Sequence, residues 1–538
     1  MKSATLARLA QPARARRAQT LSLPAPIGGW YTAGNLDAMP AGTAFRLENW
    51  RPTTTGIAQR GGSRKHATLT NGSAPVVSFI PYNATQKKLF AATRAEVYDI
   101  TTVANPGVIP GSPVLSGQTS GYYSFNTFTT SGGEFLTIVN GADPLRLYDP
   151  VNNWRQITTA STPAITGVPS TAELSFVWPY RNRQFFIGRG MFAYCLPVGT
   201  VTGALTKIDL NGVFQRGGRL LFGASWSLDA GDGLDDKCVF VTTEGEIAVY
   251  EGADPANAAT WSLVGRYDMA DPLGPRASMR SGGELLIATE IGLLPLSKAI
   301  NQDIAALEQS ALSKAISPDW RRAARDRRAL PWEIVKYPDL SYAIFCLPAA
   351  NANQQGLCYV MNTETGAWSS YTGWDARCMA VHDGSLYFGT RDGKVFQAEA
   401  GGKDDGKPIY YTCIANPDHL QWPGVVKTLL LAQAKFKAAT PYETQLTAST
   451  DNETELPAAP NAAPDSGLGS SYWGTGLWNR ALWDAAVATA GISAVREAIG
   501  RTGYVFQWQL QITGAQTTYP VVELISMNLS FEAGQPLL

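Results

Sequence analysis

The chain is poor in the residues from which metal sites and disulfide frameworks are built. Its 538 residues include 6 cysteines and 3 histidines. The cysteines (Cys195, Cys238, Cys346, Cys358, Cys378 and Cys413) are scattered through apolar stretches such as FCLP and LCYV, with no CxxC pair, and read as reduced core residues. His66, His382 and His419 lie far apart in the sequence. Neither a structural zinc site nor a disulfide scaffold is expected, and no metal or cofactor. An excess of either sign of charge is missing as well. Lys plus Arg number 44 and Asp plus Glu number 44, which argues against a protein that coats nucleic acid, because such proteins carry a strong basic excess. No window approaches about 18 uninterrupted apolar residues, so no membrane-spanning segment is expected. The basic start is not followed by the apolar stretch of a secretory signal. The expectation is a soluble protein assembled inside a cell.

What the chain has in quantity is turn chemistry. With 52 Gly, 33 Pro and 45% hydrophobic residues, broken by turn signals every ten or so positions, it reads as globular and mainly β. Its length calls for two or three domains. One phrase recurs. The clearest copy is GSLYFGTRDGKVFQAE (384–399), two short alternating apolar runs around a polar turn at Gly393, the pattern of a tight hairpin. Related hairpins lie at 87–100, 132–149, 183–195, 237–252 and 282–297. Their turns fall near 93, 140, 188, 243, 289 and 390, with gaps of 47, 48, 55, 46 and 101 residues. The last gap is about two units long, and a degenerate copy is expected within it at 342–348 and 356–371. A period of about 40 to 50 residues with several strands per unit predicts a β-propeller over 76–400, of seven blades or six. A second repeat ends in Trp154, Trp261 and Trp368, each expected to fill space between neighbouring blades.

Several segments stand outside that period. Residues 1–27 form a basic arm, expected to be flexible or ordered only on a partner; Lys2, Arg8, Arg14, Arg16 and Arg17 stand in 1–23 without an acid. Residues 28–75 are a lead-in and docking segment. In 298–330, Ile300, Ile304, Leu307 and Ala311 recur at helical spacing, predicting a helical insertion. Just beyond them Arg321, Arg322, Arg325, Arg327 and Arg328 place five guanidinium groups in eight positions. They read either as a DNA-phosphate contact or as an exposed or intersubunit ion-pair strip. Asp229, Asp232, Asp235 and Asp236 could gather around calcium, but their spacing is not that of an EF-hand, and a solvated turn is the plainer reading.

Residues 401–538 predict a β-sandwich-like domain. There Tyr504, Phe506, Trp508, Leu510 and Ile512 alternate with Val505, Gln507, Gln509 and Gln511, so one face is expected buried and the other wet. A long loop at 438–500 carries Trp473, Trp478 and Trp483, candidates for capping the domain or contacting a neighbouring subunit. It is acidic at first: from 438 to 479 it has Glu443, Asp451, Glu453, Glu455 and Asp465 and no Lys or Arg.

The opening phrase, with Asn35, Leu36, Met39, Pro40, Ala44, Leu47, Asn49, Trp50, Pro52, Gly56, Arg60 and Gly62, resembles the start of the packaged-DNA stabilisation proteins of short-tailed phages, also called tail nozzle or tail hub proteins. The excursion at Trp473, Gly474, Leu477, Trp478 and Trp483 and the closing SFEAG (530–534) are similar to the same family. The resemblance implies a structural virion protein of the tail, assembled in the host cytoplasm into a ring of identical subunits, expected to be hexameric. It would attach to the head-to-tail adaptor, and in some members to a fibre or spike. It would complete the channel, retain packaged DNA and let it pass during infection. A neutral chain with an acidic loop suits a lumen that touches DNA only transiently. Two other readings stay open: a sugar-binding propeller for host recognition and a propeller glycosidase. The latter needs a placed carboxylate pair that the sequence does not single out, and no residue is nominated as catalytic.

Overall fold

Each repeated hairpin becomes the middle of a small antiparallel sheet. In the structure, a computed structural model, residues 18–70, 72–227, 236–451, 453, 456–463 and 491–534 are described. Alternating apolar residues put side chains on both faces of each sheet, and in this stack both faces are buried. Seven sheets follow one another along the chain and are numbered here as blades 1 to 7. Their first strands are Ser78–Asn83, Ser124–Thr130, Phe176–Tyr180, Leu220–Trp226, Ser278–Ser281, Glu333–Tyr337 and Ala376–His382. The degenerate copy is blade 6, whose strands Tyr342–Leu347, Leu357–Asn362 and Trp368–Thr372 fill the doubled gap. Blade 7 takes its outer strand from the other end of the chain: Lys394–Ala398 pairs with Ser63–Thr68. Gly393, at φ +77°, makes the tight turn before it, where a Cβ would lie 1.8 Å from Thr70 Oγ1.

Between consecutive blades lies one apolar core. Ile80, Phe90 and Tyr148 join blades 1 and 2; Val139, Leu147 and Phe186 join 2 and 3; Trp178, Phe185 and Phe240 join 3 and 4. The series continues through Phe222, Val241 and Ile287, Leu286, Ala343 and Phe345, and Ile344, Tyr371 and Phe388. A seventh core, with Phe79, Leu89, Cys378 and Val395, joins blade 7 to blade 1. Trp154 packs on Phe90 of blade 1 and Tyr148 of blade 2. Trp261 stacks on Tyr250 of blade 4 and Phe185 of blade 3, and Trp368 packs against Phe345 and Trp320. The repeated Trp residues are therefore space fillers, as expected.

Blade 5 has three strands, and helical turns take over where its last strand ends. Leu296–Asn301 and Ile304–Leu307 seat Leu296, Ala299 and Leu307 on the core of blades 4 and 5. Ser317–Asp326, with Pro318 in its first turn, seats Trp320 and Ala323 on the core of blades 5 and 6, where Ile316, just before the helix, joins them. The expected helical insertion is present.

Three expectations need correction at the chain ends. Gln19–Pro24 belongs to a sheet, paired along its length with the strand Val522–Ala533. Alternation in TLSL lets Leu21 and Leu23 lean on the sandwich core, so the flexible-arm reading fails for that stretch; residues 1–17 lie outside the described residues. The expected loop 438–500 contains strands at Thr444–Thr450 and Gly491–Gly503, in the second of which small and charged residues dilute the alternation. The wet face of Phe506–Gly514 is covered: Gln507 and Gln509 are 1% and 2% exposed. There Gln507 donates to the Ala415 carbonyl at 3.2 Å and Gln509 accepts from Thr447 Oγ1 at 3.2 Å, so amides satisfied in part by neighbouring strands stand where solvent was expected.

The sandwich draws on both ends of the chain. One sheet contains Ile409–Ala415, Phe506–Gly514 and Thr444–Thr450; the other contains Val522–Ala533, Lys427–Ala438 and Gly491–Gly503. Ala44–Glu48 lies between Ile409–Ala415 and the outer strand of blade 6, so eight strands run as one sheet from the propeller into the sandwich. The boundary expected at 400–401 thus cuts through a shared structure. No helix among the described residues is long and apolar enough to cross a membrane.

Candidate functional site

Propellers place their chemistry where the inner strands begin, and here that place holds a polar knot. Arg276, on the approach to blade 5, extends its guanidinium over the ring of Tyr122, 3.9 Å from the centroid, on the approach to blade 2. Its Nη1 donates to Ser78 Oγ at 3.3 Å and its Nη2 to the Val77 carbonyl at 3.0 Å, both at the start of blade 1. Glu333 of blade 6 lies 3.5 Å from Nη1 and accepts from the Met379 backbone N–H of blade 7 at 3.1 Å. Burial pushes the Glu333 carboxyl above the ordinary range despite Arg276. Burial also opposes charge on Arg276, but Glu333, Tyr122 and Cys378 together outweigh it and hold the guanidinium cationic. The knot thus ties together the first strands, or the residues that lead into them, of blades 1, 2, 5, 6 and 7. No local pattern announces this: Arg276 and Val77 are 199 residues apart.

The arginines singled out in the sequence are on or just after the helix Ser317–Asp326, and the fold employs four of them internally. Arg321 pairs with Glu308 and Arg322 with Asp319. Arg327 donates to the carbonyls of Leu347 and Gln355 at 2.9 and 2.7 Å, and burial lowers its pKa. Arg328 reaches Asp271 at 3.2 Å and also Glu290. Arg325 is exposed. Three of the five, Arg321, Arg322 and Arg328, thus stand in ion pairs within the chain. Trp473, Trp478 and Trp483, and the aspartates 229, 232 and 235, lie outside the described residues; Asp236 is buried, and its carbonyl accepts from Tyr180 Oη at 2.9 Å. Among the described residues no group of three His, Cys, Asp or Glu side chains is placed to hold a metal ion.

The opening phrase builds the joint between propeller and sandwich. Arg60, wholly buried, uses all five of its N–H donors. Nε donates to Asn49 Oδ1 at 2.8 Å, Nη1 to the Gly61 carbonyl at 2.8 Å and Asp404 Oδ1 at 3.1 Å, and Nη2 to Asp404 Oδ2 at 2.6 Å and the Thr372 carbonyl at 2.7 Å. Its guanidinium lies 4.7 Å from the centroid of the Trp374 ring, whose Nε1 donates to Asp404 at 3.0 Å. Asn49, in the left-handed region at φ 61°, also accepts from the Thr372 N–H at 2.9 Å and donates to the Tyr410 carbonyl at 2.7 Å. Gly62 passes so close to Lys403 that a Cβ would lie 2.1 Å from its carbonyl oxygen. Beside this group Glu399 accepts from the Gly61 N–H at 2.5 Å, from Tyr342 Oη at 3.1 Å and from Tyr519 Oη at 3.2 Å. A buried pair with every donor met fixes geometry and leaves nothing over for a reaction.

Comparison with known proteins adds little. No protein-family model matches the chain, and no curated protein is similar to it. Among solved structures it is similar to the WD40 beta propeller domain of Doa1, with 10% identity over 63% of this chain and 97% of that one and a TM-score of 0.36. Saccharomyces cerevisiae Sqt1 gives 11% identity over 62% and 85%, with a TM-score of 0.36. The computationally designed Ika8 protein gives 11% over 65% and 95%, again with a TM-score of 0.36. The class of the protein, a β-propeller carrying a β-sandwich, rests on its own strand order and cores.

Proposed function

We propose that the protein is a non-enzymatic structural component of a virion, the tail nozzle of a short-tailed phage, built as a ring of identical subunits. One observation carries the reading. Six of the twelve opening residues on which the family resemblance rests, Asn49, Trp50, Pro52, Gly56, Arg60 and Gly62, lie together at the joint of propeller and sandwich. They form the sandwich strands Trp50–Pro52 and Ile57–Gln59 with their connections, and the buried Arg60 pair. In this reading the phrase marks the joint of a two-part subunit. The way buried charge is used supports the same reading, since the Arg60–Asp404 and Arg276–Glu333 pairs are spent inside the fold.

In this reading the sandwich, made from both chain ends, docks on the adaptor and on neighbouring subunits, and a fibre or spike joins the assembled ring. DNA passes through the lumen of the ring and not through any one propeller, whose inner strands the Arg276 knot ties together. A heterologous contact repeated around an axis gives such a ring. Electron cryomicroscopy of the purified full-length protein, and of particles containing it, tests the proposal. The expected result is a cyclic ring, six-fold, seated below the adaptor with its sandwiches toward it. A protein that remains monomeric at high concentration and is absent from particles, or that hydrolyses glycosides, would overturn it.

A further inference from the structure

Two of the six cysteines stand opposite one another. In blade 6 the register of Tyr342–Leu347 with Leu357–Asn362 sets Cys346 against Cys358. None of the other four is matched in this way. Cys195 lies opposite Phe185 and Thr206, Cys238 opposite Ser225 and Tyr250, Cys378 opposite Gly389, and Cys413 opposite Leu47 and Leu510.

The rung is of the kind that a disulfide fits. Rungs of an antiparallel pair alternate between those that exchange backbone hydrogen bonds and those that do not, and in the latter the side chains are closer, with Cα atoms about 4.5 Å apart. The Thr363 N–H donates to the Ser341 carbonyl at 2.9 Å, one rung beyond Tyr342 and Asn362. The bonded rungs of this pair are therefore Ser341 with Thr363, Ala343 with Met361, and Phe345 with Tyr359. Asn362 turns its own N–H the other way, to the Ala367 carbonyl at 2.9 Å, as even-numbered residues of that strand must. Cys346 and Cys358 thus share an open rung. A disulfide needs Cα atoms about 4.4–6.8 Å apart and converging Cβ vectors. Both side chains leave the sheet on one face, into the core between blades 6 and 7. There the thiols meet: the interaction with Cys358 is the first of the effects that push Cys346 up, ahead of burial.

What keeps the pair reduced is access. Both residues are 0% exposed, and a thiol pushed up holds little of the reactive thiolate. The rung is nevertheless one step from the end of its ladder. Beyond Leu347 and Leu357 the chain loops out through 348–356, where Asn351, Ala352, Asn353 and Gln355 are exposed. That loop is clasped from the end of the helix Ser317–Asp326. Arg327 donates to the Leu347 and Gln355 carbonyls, and Gln354 Nε2 donates to the Asp326 carbonyl at 3.0 Å. Arg327 also lies in the field of both thiols. Local opening of this hairpin end bares the two thiols beside a guanidinium, a setting that favours thiolate.

We propose that Cys346 and Cys358 are a latent disulfide, closed when this end of blade 6 opens to a small-molecule disulfide such as oxidised glutathione. One thiolate attacks a sulfur of that disulfide and expels a thiol. The other attacks the mixed disulfide at the protein sulfur, forming the bond between Cys346 and Cys358 and expelling the second thiol. Two protein thiols are oxidised, and one small-molecule disulfide is reduced to two thiols. The bond staples the blade that shares its sheet with the sandwich. The inference does not rest on the virion reading.

Incubation of the full chain with oxidised glutathione at mildly alkaline pH, with and without urea below the unfolding transition, tests it, followed by alkylation and non-reducing peptide mass mapping. The expected product is a cross-link between the peptides that carry Cys346 and Cys358, formed faster in urea and reversed by dithiothreitol, with the other four cysteines alkylated. The oxidised form is expected to melt about 2–5 °C above the reduced one. Cys346→Ala and Cys358→Ala should each lose both the cross-link and the rise in Tm. Gln354→Ala, which frees the loop from the helix end, should speed closure about fivefold. Should neither cysteine variant fold, the peptide map of the unaltered chain decides the matter. All six thiols still alkylated after oxidation in urea, glutathione adducts without a cross-link, or a cross-link between other cysteines would overturn the proposal.

Discussion

The propeller and the sandwich are both stacks of antiparallel strands, yet they are assembled from different kinds of information. Six of the seven blades take their strands from one continuous stretch each, and every blade meets its neighbours through an apolar core of the same kind. The sandwich joins strands from opposite ends of the chain, and beside the sheet it shares with blade 6 its connection to the propeller is held by a few buried polar residues around Arg60. Many similar apolar contacts share a load, so damage to one blade should be graded. A buried ion pair concentrates the load, so damage to the joint should be abrupt.

The sharpest break is expected at Arg60. Arg60→Met strands the Asp404 carboxylate in a buried setting and should cost about 3–5 kcal/mol, with propeller and sandwich then melting separately by calorimetry. Adding Asp404→Leu should recover most of the loss, because a buried pair replaced by apolar groups is often neutral. In a blade, Trp261→Ala removes a half-buried ring stacked on Tyr250 and should cost about 2 kcal/mol while leaving one transition, as read by denaturant unfolding.

Titration should separate the two regions by sign. At the joint, burial raises the Glu399 carboxyl, outweighing Arg51, the Gly61 N–H, Arg60 and Tyr342. Its contribution to stability is present below the ordinary carboxylate range and is lost as pH rises through the raised value. In blade 2, burial would raise Asp143, but hydrogen bonds from Asn140, Thr119 and Ser120 prevail and hold it low. Its contribution is present above the ordinary range and is lost as pH falls through the lowered value. Melting temperature followed against pH should therefore lose part of its decline toward neutrality in Glu399→Gln and part of its acid limb in Asp143→Asn. The same slope change in both variants would remove the distinction. The smallest effect belongs to the exposed Arg325: Arg325→Gln should alter unfolding free energy by less than about 0.5 kcal/mol in the same denaturant measurement.

Legibility followed the same division. The blades could be read because each hairpin declares itself within about fifteen residues through alternation and a turn, and even the degenerate sixth copy was placed by the doubled spacing. The helical insertion was legible because Ile300, Ile304 and Leu307 keep a helical period. The joint was not, since Arg60 and Asp404 lie 344 residues apart and neither forms a local pattern. Gly491–Gly503 was missed because small and charged residues dilute its alternation. Gln507, Gln509 and Gln511 looked like a solvent face because side-chain type reports polarity, not whether neighbouring strands meet the amides.

Eight strands running unbroken from blade 6 into the sandwich also set a timetable for biosynthesis. Ala44–Glu48 leaves the ribosome early, but its neighbours in that sheet, Trp368–Thr372 and Ile409–Ala415, emerge more than three hundred residues later. Gln19–Pro24 waits longer still, since Thr20 meets Ser530 across 510 residues. Blades 1 to 5 can condense one after another behind the exit tunnel while the first sixty residues wait unpaired, their strand edges open to other chains. Non-local pairing of this kind is slow and exposed to aggregation, so nascent chains of this protein should depend on holding chaperones at their amino-terminal segment more than an array of consecutive blades would.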